Sequence, residues 1–256
     1  MATRLFTDLL DRFLPSVPGC PQPLAVQQIR RAAIRTCERT LAWRYTPARQ
    51  QLLPGVHEYT YTKPVSTEVH VVFRALVNDE PLEVLTLEQA IDRYLAWADL
   101  YSGEAFATVW SETPSSAWND LAYNEELFNE GSEFVLPAAI VADGGQPRVF
   151  TQLTPDKFVV IPLPDGEGPY YLRIFYALKP SRDATGMDTY VLNDLEDAIV
   201  HGALQETLVM PNVAWGDRQL ATYHAKQYLF YVNERRARAN LTNARGSLFA
   251  RGHRIA

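Results

Sequence analysis

Apolar side chains recur every three or four residues at the two ends of this chain and every second residue in its middle. That change of period limits what the chain can fold into, because the first spacing suits a helix face and the second a half-buried strand. The pattern is longest near the C-terminus. Val191, Leu195, Ala198, Ile199, Ala203 and Leu208 share one face of a helix predicted over 188–210, and Pro211 closes it. A second helix starts near Asp217, a good N-cap, and continues through Leu220, Tyr223, Gln227, Phe230 and Tyr231. At the other end, Leu5, Phe6, Leu9, Leu10, Phe13 and Leu14 form a short stripe that Pro15 ends. After a proline-rich linker, Pro23 opens a longer helix to about Trp43, with Val26, Ile29, Ala33, Cys37 and Leu41 as its buried face.

Between these ends the period drops to two. QQLLPGVHEYTY places a Pro-Gly turn between two short β-like arms. Val69, Val71, Phe73, Ala75 and Val77 alternate with polar residues in a half-buried strand; Asn78-Asp79-Glu80 turns the chain into PLEVL. Thr86 and Gln89 have the spacing of a capping box, so a short helix follows. RVFTQL, KFVVIPL and YYLRIFYAL read as three antiparallel strands separated by TPD and PDGEGP turns. The expected fold is α+β: a helical bundle built from both chain ends (1–45 and 186–240). Within 46–185 it carries an inserted antiparallel β-sandwich-like sheet, and 241–256 is an extended C-terminal arm.

Charge is divided unevenly. Between Asp99 and Asp143 there are nine acids and no Lys or Arg, whereas Arg235, Arg236, Arg238, Arg245, Arg251 and Arg254 face a single acid, Glu234, after Tyr231. The stretch at about 99–147 reads as an acidic insertion with an exposed tip, and its aromatics (Phe106, Trp110, Trp118) set it apart from a disordered tract. A net charge of −6 opposes nucleic-acid binding by the chain as a whole. No run approaches the roughly 18 apolar residues of a membrane span, and the charged N-terminal stripe makes a poor signal peptide. Two cysteines without metal-type spacing suit a reduced, intracellular chain.

Signals of chemistry are weak. No two of the five histidines have the i, i+4 spacing of a helical zinc pair, and no Cys pair supports them. His57-Glu58 and Glu68-x-His70 could converge across strands, but exposed or core-edge roles suit them better. There is no Gly-x-Ser-x-Gly elbow and no phosphate-cradling glycine loop. Asp165-Gly-Glu167-Gly suits a hairpin turn better than a calcium loop. Asn240-Leu-Thr242 matches a glycosylation acceptor that has no weight without a secretory signal. No catalytic residue, cofactor or metal is expected. The arginine-rich tail has three readings: a solvated terminus, a nucleic-acid arm with Phe249 as its only stacking group, or a protein-docking arm. In the third, Leu241, Leu248, Phe249 and Ile255 anchor among the arginines.

The stretch LKPSRDAT, then AIVHGALQETLVMP, then W-x-D-x-x-L-A-x-Y-H-x-K-Q-Y and the Arg-rich tail resembles the head-to-tail adaptor (connector) proteins of short-tailed and related tailed bacteriophages. IRRAAIRTCERTLAWRY, LLPGVHEYTY and ALVNDEPLEVLT are similar to the same family. The resemblance covers most of the chain outside about 99–147. It implies a non-enzymatic virion protein at the capsid–tail junction, assembled in the bacterial host cytoplasm. In that family the protein forms a homo-oligomeric ring, twelve-fold, between the portal and the tail tube or nozzle. DNA passes through its channel during genome ejection. The arm would bind the portal, which singles out Arg235, Arg236, Arg238, Leu241, Arg245, Leu248, Phe249, Arg251 and Arg254. The acidic insertion is expected to face outward, away from the channel, because insertions grow from exposed loops. Another tail or baseplate ring protein, or a small DNA-binding or packaging factor using the basic arm, are the alternative functions.

Overall fold

A computed structural model describes residues 2–56, 58–90 and 145–240. By internal contacts the chain divides into two units, Met1–Tyr45 with Lys63–Val71 and Tyr176–Ala256, and Thr46–Thr62 with Val72–Phe175.

In the first unit, β1 (Thr3–Leu5) pairs antiparallel with β10 (Gly186–Asp188). A Cβ on Gly186 would stand 2.3 Å from the carbonyl oxygen of Arg4, so only glycine allows the strands this close. The predicted N-terminal helix is a broken one: a 3-10 turn at Phe6–Leu9, helix α1 at Leu10–Phe13, and a second 3-10 turn at Leu14–Ser16. Phe6, Leu9 and Phe13 are fully buried, whereas Leu5 belongs to β1 and is exposed. Helix α2 (Gln22–Thr40) stops three residues short of the expected Trp43. Leu41 takes the left-handed conformation there (φ 52°), and its N–H returns to the Cys37 carbonyl at 2.9 Å.

Helix α3 (Thr189–Leu208) begins at Asp188, whose side chain accepts from the Tyr190 and Val191 amides. All six apolar residues assigned to its inner face are buried. Helix α4 (Arg218–Asn240) is capped by Asp217, which accepts from the Gln219 and Leu220 amides at 2.8 and 3.0 Å. Its inward face is not the predicted one. Ala221, His224, Tyr228 and Val232 are buried, and Tyr223 and Phe230 are exposed. The three long helices meet at Gly202, where a Cβ would lie 3.0 Å from the Tyr228 ring and 3.5 Å from Ala32 Cβ. Ala32, Ala33 and Thr36 line α2 with small buried side chains there, which lets the helices approach closely.

The strands after α2 do not form a small antiparallel insert. β2 (Arg44–Tyr45), β3 (Gln50–Leu52), β4 (Glu58–Thr60), β5 (Thr67–Val77), β6 (Glu80–Leu85), β7 (Val149–Gln152), β8 (Lys157–Ile161) and β9 (Tyr170–Pro180) make one eight-stranded sheet. Its order is β2-β9-β5-β6-β7-β8-β4, with β3 also pairing β9. The two arms around the Pro-Gly turn part company: β3 pairs with β9 and β4 with β8. The β5–β6 hairpin forms as expected, with Asn78 (φ 51°) and Asp79 (φ 68°) in the left-handed region that a two-residue turn requires. β7 and β8 are antiparallel, but β9 lies elsewhere in the sheet and does not continue them.

The expected α+β fold is therefore corrected to a mixed α/β one with a single large sheet. The decisive pairing is β6 with β7, which is parallel: Glu83, Val84 and Leu85 oppose Val149, Phe150 and Thr151. Parallel neighbours require a long crossover. The segment between them, read from sequence as an insertion, supplies that connection. Its first turn is in place, since Thr86 and Gln89 each bond the other's backbone N–H through their side chains. The rest of the acidic stretch through residue 144 lies outside the described residues, as does 241–256. In the second unit the core is aromatic: Phe158 packs on Phe150 at 5.0 Å, Tyr61 at 4.8 Å and Tyr59 at 5.6 Å.

Candidate partner-binding surface

Helix α3 carries four acids, and each is answered by an arginine from another element. Arg4 of β1 donates to Glu196 Oε2 at 2.8 Å and to Asn193 Oδ1 at 2.8 Å. Arg12 of α1 donates to Glu196 Oε1 at 2.9 Å and Asp197 Oδ1 at 2.7 Å. Arg35 of α2 pairs with Glu206, and Arg235 of α4 donates to Asp194 Oδ1 at 2.5 Å. Burial alone would raise the Glu196 carboxyl, but hydrogen bonds from Arg12 and Arg4 hold it below its ordinary value. The same contacts raise the Arg12 guanidinium.

A histidine pair bridges α3 and α4. His201 Nδ1 and His224 Nδ1 are 2.7 Å apart, so one ring donates and the other accepts. Tyr231 stacks on His201, with centroids 5.6 Å apart and ring planes 8° from parallel. Tyr223 meets both imidazoles edge-on, at 6.4 and 5.2 Å. Burial lowers both imidazoles from the ordinary value of 6.5. His224 pushes His201 further down, and Asp197 opposes that. The i, i+4 spacing of a helical metal pair does not find these histidines, because they lie on two different helices. The signal lay in the α4 register: at 221, 224, 228 and 232, His224 falls on the buried face.

Of the nine residues singled out for partner binding, Arg235, Arg236 and Arg238 are described, and all three lie on helix α4. Arg235 folds back onto α3, and its side chain is only 17% exposed. Arg238 pairs with Glu234 one turn earlier, at 2.5 Å. Arg236 is exposed. Leu241, Arg245, Leu248, Phe249, Arg251 and Arg254 lie outside the described residues. The outward side of α4 carries features that the sequence reading assigned to the core or left out. Phe230, Tyr223 and Leu229 are 63%, 52% and 51% exposed, among the exposed cations Arg218, Lys226 and Arg236. Apolar side chains beside cations give a surface suited to protein contact.

The other candidates are committed elsewhere. Glu58 pairs with Lys157, and Glu68 shares Lys179 with Glu38. His57 lies outside the described residues. Among the described residues, no three His, Cys, Asp or Glu side chains are grouped to hold a metal, and no helix is long and apolar enough to cross a membrane.

No protein-family model matches the chain, and no curated protein matches its sequence.

Proposed function

We propose that this chain is a structural virion protein, a head-to-tail adaptor that forms a ring between portal and tail and continues the DNA channel. It acts by shape and contact, with no catalytic step. The observation that carries the reading is the junction at the end of α4. A helix pinned to α3 by Arg235–Asp194 presents an outer side of Tyr223, Leu229, Phe230 and exposed cations. It leads directly into a segment where Arg245, Arg251 and Arg254 alternate with Leu248 and Phe249. A rigid mount followed by mixed anchors and charges suits a docking element that orders on a partner. The sequence similarities to adaptor proteins point the same way.

The test is native mass of the purified chain, alone and mixed with the cognate portal ring. It compares the intact chain with one cut after Asn240. That cut spares the Arg235–Asp194 pair, which a cut after Asn233 would remove. The intact chain is expected to join the portal in a ring-filling number and the shortened chain to fail. If the intact chain ignores the portal, the adaptor assignment falls.

A further inference from the structure

We propose that His201 and His224 form a proton-operated latch between α3 and α4, which seats α4 when the pair shares one hydrogen and releases it when both rings are fully protonated. At 2.7 Å, only one hydrogen fits between the two Nδ1 atoms. A first proton from solvent goes to the outer nitrogen of the donating ring and leaves the bridge intact. A second must occupy the Nδ1 lone pair that accepts the bridge. Two N–H groups then face each other, each on a cation, and the contact becomes repulsive.

The surroundings make that second state costly. His224 is 6% exposed and His201 is half-buried, with Tyr231 stacked on His201 and Tyr223 edge-on to His224. Asp197 of α3 is the acid that acts on His201, and it is engaged by Arg12 of α1, which opposes a positive imidazole. Of the remaining charges on the packed elements, Asp11 of α1, Arg31 of α2 and Arg218, Lys226 and Arg236 of α4 are exposed, and the others are engaged by other partners. Arg4 of β1 holds Glu196, and Asp188 of β10 caps α3. Arg35 of α2 holds Glu206, and Arg39 lies over the Tyr228 ring at 5.5 Å. Arg235 of α4 holds Asp194. No described carboxylate outside the Arg12 pair acts on the imidazoles. Lowered protonation of both rings by burial agrees with this arrangement.

The sign follows. Groups whose protonation is harder in the folded chain than in the unfolded one stabilise the fold above the unfolded value of 6.5. That contribution is lost as pH falls below 6.5 toward their folded values. α4 should loosen more than α2, because α2 holds no member of the pair.

The test uses the intact chain. Imidazole nitrogen resonances of His201 and His224 are followed from pH 8 to pH 4. Amide-exchange protection of α4 and α2 is measured over the same range. His201 and His224 are expected to titrate below the ordinary imidazole value of 6.5, in two separated steps. Protection of α4 should fall by about tenfold or more between pH 7.5 and 5, while α2 holds. A double substitution, His201→Phe with His224→Leu, should remove the pH dependence of α4. Titration of both rings together at 6.5 would overturn the latch. So would α4 protection that does not change with pH in the native chain, a result that needs no variant to fold.

Discussion

Single atoms set several tolerances in this chain. Gly186→Ala drives a methyl group into the Arg4 carbonyl and forces β1 away from β10. It is expected to cost about 1–3 kcal/mol, read as a lowered midpoint in chemical denaturation. Gly202 differs in kind, since its near neighbours are the Tyr228 ring and Ala32, and a ring can shift where a backbone oxygen cannot. The two cysteines should be silent. Cys37 is 1% exposed, and burial pushes its thiol up to about 12, while burial also raises Cys20. An aromatic disulfide reagent at neutral pH should label neither thiol in the native chain and both after unfolding. Fast labelling of native Cys37 would contradict its burial.

At the scale of the helix, ends matter more than lengths. Asp217→Ala removes the acceptor for two first-turn amides of α4 and should cost about 1 kcal/mol, with Asp217→Asn nearly neutral. The Asp217 cap is visible in the sequence, as are the inner face of α3 and the turn at Asn78-Asp79, because each is set by neighbours in the chain. The α4 register is not. Its exposed side carries Tyr223, Leu229 and Phe230, so counting apolar residues turns the helix the wrong way. The strands show the same division. Their positions follow from alternation, but their partners do not. The eye joins two arms across a Pro-Gly turn, whereas β3 and β4 each find a distant strand. The histidine pair is illegible for the same reason, since 23 residues separate its members and only the packing of α3 on α4 brings them together.

For the whole molecule, acid should act in two stages. The histidines withdraw their contribution as pH drops below 6.5. Glu196, whose carboxyl is lowered, keeps its contribution above 4.5 and loses it only as pH falls through its folded value. Unfolding free energy measured against pH is expected to show a first decline between 6.5 and 4.5 and a second below it. The double substitution His201→Phe with His224→Leu should remove the first and leave the second. The order of pairing along the chain has a further consequence. β1 waits for β10, β2 and β3 wait for β9, α2 waits for α3 and α4, and β6 waits for β7. In the described first half, the β5–β6 hairpin is the piece whose partners lie side by side in the chain. Closing such long loops is slow, because the entropy is lost before the contacts return it. A ribosome releasing this chain would hold a growing N-terminal half with open strand edges until residues beyond 170 emerge. Folding therefore waits on those residues, and the nascent chain before they emerge is the form most in need of a chaperone.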